Sequence, residues 1–104
     1  MFMIYSTIAD LAEAKHIAHQ LVTQRLVACA NIIPSVISIY EWEGKIEENT
    51  EVVMIAKAHT KTVDAAIAHI KSLHSYDCPC ITAVEMDKAD KHFTKWLETS
   101  LKLA

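Results

Sequence analysis

The stretch Ser38-Ile-Tyr-Glu-Trp-Glu-Gly-Lys-Ile-Glu-Glu-Asn-Thr-Glu-Val-Val-Met-Ile-Ala-Lys-Ala58 sets the only glycine of the chain, Gly44, between two runs rich in β-branched and aromatic residues. A residue free to take φ > 0 within Glu41-Trp-Glu-Gly-Lys45 permits a tight reversal, so the stretch reads as two strands of a hairpin, the second returning through Thr50 to Ala58. Upstream the β-rich composition reaches back to Leu26, broken at Pro34. Proline lacks an N–H for the ladder, so Pro34 marks a bulge or an edge position in one long, broken strand.

Working outward, Phe2 to Ser6 alternates as a strand, and Asp10 with Glu13 three residues on resembles a capping box opening a helix. Leu11, Ala14, Ile17, Ala18, Leu21 and Val22 recur at helical spacing and commit one face of that helix to a core. Val63, Ala66, Ile67, Ile70 and Leu73 mark a second helix, and Pro79 separates it from a short strand at Ile81 to Met86. A third helix follows, with Ala89, Phe93, Trp96, Leu97 and Leu101 expected inward. The order βαββαβ plus a terminal helix predicts a single α+β domain over residues 1–104, on the ferredoxin-like split βαβ plan, with helices on one face of a four-stranded antiparallel sheet. Around the hairpin, Val36, Ile37, Ile39, Tyr40 and Trp42 are apolar on both parities, as are Val52, Val53, Met54 and Ile55. Neither face is built for water, and burial against sister subunits is the expectation.

Composition agrees. Hydrophobic residues make up 52% of the 104 and mean hydropathy is +0.17, more apolar than a small monomer needs, so part of the excess is expected at an interface. The formal charge of −3, with no basic stripe, argues against nucleic acid as the main partner. Met1 to Thr7 has no basic segment and only a short apolar run before Asp10, reading as neither signal peptide nor membrane anchor, and a cytoplasmic protein is expected. Cys29, Cys78 and Cys80 are odd in number, with the last two one residue apart, which suits reduced thiols better than a disulfide framework.

His74, Cys78 and Cys80 place an imidazole and two thiols within seven residues, a set suited to Cu(I) or Zn(II). The competing reading has Cys80 packing as a small hydrophobe and Cys78 as an incidental loop thiol. His16 and His19 stand three apart on the polar side of the first helix, where a metal pair and a solvated face are both readable; His59, His69 and His92 show no useful spacing. Cys29 reads as a buried structural thiol. Tyr40 and Trp42 share one side of the strand, where they line a ligand cleft or fill an intersubunit core. In the cleft reading Lys45 and Lys57 supply cations and Tyr76 joins the wall. Glu41, Glu43, Glu47, Glu48 and Glu51 keep the ribbon soluble, with weak hard-cation binding as the lesser reading.

Three segments carry a resemblance: Arg25-Leu-Val-Ala-Cys-Ala-Asn-Ile-Ile-Pro34, Ser38-Ile-Tyr-Glu-Trp-Glu-Gly-Lys-Ile46 and His74-Ser-Tyr-Asp-Cys-Pro79. Together with the order of elements they cover most of Tyr5 to Leu97, and the chain resembles the divalent-cation tolerance (CutA) family. That resemblance implies a ferredoxin-like protomer, a tight homotrimer around the central hairpins, and binding of copper or another divalent cation in some members, none being required. It implies no established enzymatic reaction, and no nucleophile–base pair is readable in the sequence. Copper-binding members are similar at His74, whereas their cysteine after the first strand falls at Ser6 and a histidine before His74 falls at Leu73. Any soft-metal site is therefore expected at His74, Cys78 and Cys80. The same fold is used by metallochaperones, acylphosphatases and RNA-recognition domains. Each is set aside by an absence: no thiol loop at Thr7-Ile-Ala-Asp10, no glycine-rich anion loop, and no stacking aromatic in Val52-Val-Met-Ile55.

Overall fold

A computed structural model describes residues 1–103. The chain runs β1 (Phe2–Ile8), α1 (Leu11–Thr23), β2 (Cys29–Trp42), β3 (Lys45–Ala58), α2 (Val63–Leu73), β4 (Ile81–Glu85) and α3 (Lys91–Ser100). The strands form one sheet in the order β2-β3-β1-β4 with every neighbouring pair antiparallel, the ferredoxin-like arrangement expected from the element order.

Local chemistry sets the element ends. Asp10 caps α1 by accepting from the Glu13 N–H at 2.8 Å. The reciprocal half of the capping box is not made, because the Glu13 carboxylate accepts instead from the Ser75 N–H at 3.1 Å. The end of α1 is a Schellman motif without a glycine. Arg25 takes φ 58° and donates to the Val22 carbonyl at 3.0 Å, and Leu26 reaches the Leu21 carbonyl at 3.0 Å. The Arg25 guanidinium then donates to the Ser100 carbonyl at 3.1 Å, tying α1 to the last turn of α3. At the hairpin tip Glu43 and Gly44 have φ of 50° and 80°, the positive pair that a two-residue type I′ turn needs between Trp42 and Lys45.

The core lies between the sheet and α1 and α2. Ile4 and Ile8 of β1 and Val52, Met54, Ala56 and Ala58 of β3 meet Ala14, Ile17 and Leu21 of α1 and Val63, Ala66 and Ile70 of α2. Leu11 and Val22, expected on the inner face of α1, are exposed near its two ends. Strand alternation then places Met3, Tyr5 and Thr7 of β1, with Glu51, Val53, Ile55 and Lys57 of β3, on the opposite, open face.

The break at Pro34 is a β-bulge. Ile33 pairs with Val53 but Val36 pairs with Glu51, so β2 carries one residue more than β3 across the same interval. Before it Cys29, Asn31 and Ile33 lie on the open face; beyond it Val36, Ser38, Tyr40 and Trp42 do. The ribbon past the bulge projects, giving overall dimensions of 48 × 25 × 21 Å. Its other face exposes Ile37 (71%), Ile39 and Ile46 (74%), apolar on both sides as the sequence suggested.

α3 departs from expectation. Leu97 and Leu101 are buried, packing with Ala28, Met1 and Leu103, but Ala89, Phe93 and Trp96 face outward. The helix-covered side of the sheet is already filled by α1 and α2, so α3 docks at its end and buries one narrow stripe. Phe93 and Trp96 instead contact each other with ring centroids 5.6 Å apart. No helix among the described residues is long and apolar enough to cross a membrane.

Candidate ligand cleft on the open sheet face

The open face and the loop between α2 and β4 enclose a cleft of about 820 Å³. β1 contributes Tyr5 and Thr7, and β3 contributes Glu51. β2 contributes Ser38, Tyr40 and Trp42, all brought to this side by the bulge. Ser75, Tyr76, Asp77, Cys78 and Cys80 of the loop form the facing wall.

His74 pins that loop. Its side chain is fully buried. The Tyr76 backbone N–H lies 3.1 Å from Nδ1, and since that N–H can only donate, Nδ1 is the acceptor. The proton is then on Nε2, which donates to the Thr7 carbonyl at 2.8 Å. The Glu13 carboxylate stands 3.7 Å from Nδ1 and holds Ser75, the next residue of the loop. Beyond this anchor the Tyr76 ring packs tilted on His74, centroids 4.8 Å apart, and its hydroxyl donates to Glu51 Oε2 at 2.8 Å. Glu51 is nearly buried, at 9% exposure. Burial first, then the Glu51 carboxylate it bonds, then the charges of Glu51 and Glu13 hold the Tyr76 phenol well above its ordinary pKa. Across the cleft the Asn49 amide donates to the Tyr40 hydroxyl.

Of the expected cleft residues, Tyr40, Trp42 and Tyr76 are brought together, while Lys45 and Lys57 are not. Lys45 pairs with Trp42 at the ribbon tip, and Lys57 pairs with Cys29 at the far end of β2, bonding the Asn31 side chain. The cleft is therefore acidic, through Glu51 and Asp77, rather than basic. The expected metal set is likewise dispersed. Cys78 and Cys80 are free, exposed thiols at the cleft wall, but both ring nitrogens of His74 are engaged by the protein. Ser6 is fully buried, its hydroxyl donating to the Cys80 carbonyl at 2.8 Å. Among the described residues no three His, Cys, Asp or Glu side chains converge to hold an ion, so a resident copper does not fit within one chain. His16 and His19 are exposed on α1. His59 accepts from the Lys61 N–H at 3.0 Å and faces Glu98 at 3.9 Å.

Sequence reasoning assigned Glu51 to a solvated acidic ribbon and missed Tyr5, Thr7, Ser38 and Asp77. Alternation from Val52 and Met54, both core residues, was the available signal: it sets Glu51 on the opposite face, at the base of the ribbon.

A split βαβ sheet with helices on one face and a built cleft on the other defines a ferredoxin-like α+β protein. The CutA1 divalent ion tolerance protein family matches residues 2–100. The divalent-cation tolerance protein CutA of Archaeoglobus fulgidus is 38% identical over 99 residues, covering 95% of this chain and 96% of that one. Protein CutA 1, chloroplastic, of Oryza sativa subsp. japonica is 31% identical over 100 residues, 96% of this chain; the chain spans 56% of that relative's length. The crystal structure of CutA from Xylella fastidiosa superposes with a TM-score of 0.94 at 35% identity, covering 96% of each chain. This chain belongs to the CutA1 divalent ion tolerance protein family.

Proposed function

We propose that the protein is a non-enzymatic homotrimer that serves tolerance of divalent cations by sensing a small ligand in the open-face cleft. The observation that carries this is the cleft itself: side chains from three strands and a loop anchored by a buried histidine converge on one concavity. Support for the trimer is the apolar surface that the ribbon and α3 leave in water, above all Ile37, Ile39, Trp42, Ile46 and Trp96. The three free cysteines suit a reducing compartment, and we place the protein in the cytoplasm.

Light scattering of reduced protein, read beside calorimetric titration with Cu(I), Cu(II) and Zn(II), tests the proposal. The expected result is three times the 11.7 kDa chain mass without a stoichiometric tight metal. A monomer mass removes the assembly; one ion per chain with affinity tighter than about 1 μM makes the protein a metal carrier instead. A second reading, a trimer that only docks a protein partner, is favoured by the outward Phe93–Trp96 pair.

A further inference from the structure

The ribbon and α3 leave apolar surface at opposite ends of the chain, and this inference rests on the reading of the protein as a trimer. Past the bulge, the helix-side face of the ribbon carries the pairs Ile39–Glu48 and Glu41–Ile46, with Ile37 one pair nearer the bulge. The three isoleucines thus form an exposed apolar patch with an exposed carboxylate on either strand. The chain does not cover this patch itself. α3 packs Leu97 and Leu101 against Ala28 and Met1, beside the start of β2, whereas the patch lies toward Trp42 at the other end of that strand. There Phe93 and Trp96 point outward. His92 and Lys95, three apart on the exposed side of α3, flank Trp96, and Lys88 stands exposed just before the helix. The acidic residues of this segment are engaged within the chain: Asp90 accepts from the Phe93 N–H at 3.0 Å, and Glu98 faces His59 at 3.9 Å. We propose that α3 of a second copy covers the helix-side face of the ribbon, so that the subunits join head to tail. Phe93 and Trp96 of one copy lie on Ile37, Ile39 and Ile46 of the next, with Lys88 and Lys95 set toward Glu41 and Glu48.

Charge selects which surfaces meet. Lys45 is the only Lys, Arg or His between Pro34 and Glu51. Ribbon on ribbon would therefore set Glu41 and Glu48 against their own copies, and α3 on α3 would do the same with Lys88 and Lys95. The crossed arrangement buries both apolar surfaces and places acid beside base. A contact between two different surfaces is heterologous, and it stops at a small number of subunits only by closing into a ring, which is how three copies satisfy it.

A carbodiimide joins a lysine to a carboxylate only where the two already touch. Applied to the reduced, assembled protein, it is expected to link Lys88 or Lys95 to Glu41 or Glu48, read by mass spectrometry of peptides from the crosslinked dimer band. Such a link runs between copies, since the two segments lie at opposite ends of one chain. Reversing the ribbon with Glu41→Lys and Glu48→Lys is expected to loosen the trimer at least about tenfold, and adding Lys88→Glu and Lys95→Glu to the same chain is expected to restore it. A dimer band without an α3–ribbon link, or a loss that the second pair does not repair, overturns the proposal. If the ribbon variant fails to fold, the links in the unaltered protein decide alone. Mass is read in the same samples by light scattering. A monomer removes the trimer reading and this contact with it, whereas a trimer without the links removes the head-to-tail contact alone and leaves Phe93 and Trp96 to a different protein.

Discussion

Tyr76 joins the loop to the sheet through one hydroxyl, and the direction of its pKa shift fixes how the protein answers to alkali. The phenol is neutral when protonated, and burial beside Glu51 keeps the proton on it beyond the ordinary value of 10.0 in the folded state. Above pH 10 the unfolded chain releases this proton before the folded one does. The contribution is therefore complete below pH 10 and is lost as pH rises past it. Urea melts at about pH 9 and about pH 11 should show a larger fall in stability for the native protein than for Tyr76→Phe, which has no proton to release. Parallel falls would mean that Tyr76 ionises freely. His74 acts at the same scale. Replacing it with alanine removes the bonds to Thr7 and Tyr76, and a loss of about 1–3 kcal/mol by denaturant titration is expected.

Turns and helix ends show how far each element could be read in advance. The α1 start was legible because Asp10 is a standard capping type, and the hairpin because Gly44 is the single glycine. The ends of α1 and α3 were not. Arg25 and Lys102 occupy the left-handed positions that glycine usually marks, at φ 58° and 53°. The bulge was half legible: Pro34 signalled an irregularity, but pairing alone shows that Tyr40 and Trp42 thereby join Glu51 and that Lys57 faces Cys29. The α3 pattern misled because periodicity identifies apolar positions without saying which are covered by the same chain. Phe93 and Trp96 are apolar and outward. At the hairpin tip Glu43 holds φ 50°, a region asparagine tolerates better than glutamate. Glu43→Asn should stabilise the protein by roughly 0.5 kcal/mol, seen as a higher urea midpoint. No gain would mean that the Glu43 side chain makes an interaction worth as much as the strain.

At the scale of the whole molecule, a chain measuring 48 Å along its long axis leaves a two-sided apolar ribbon outside its own core. Under the trimer proposal unfolding also separates subunits, so the melting temperature should rise with protein concentration where melting is reversible. A melting temperature independent of concentration would remove that coupling. Trp42, 58% exposed in the single chain, should matter more to assembly than to the protomer, and Trp42→Ala is expected to shift the population toward smaller species in light scattering. An unchanged trimer would leave Trp42 to the cleft alone. The bulge at Pro34 and Ser35 has a consequence for inheritance. Most changes to the ribbon alter one side chain, but removing Ser35 would take out the extra residue of the bulge itself, leaving Pro34 opposite Val52 and Val36 still opposite Glu51. Every pair from there to the tip keeps its partner, so Tyr40 and Trp42 stay on the Glu51 side and Ile37 and Ile39 on the other. A single-codon deletion at this point thus regularises the ladder without exchanging the ribbon's faces, which makes the bulge a place where the strand can vary in length by one residue in descent while its pattern is kept.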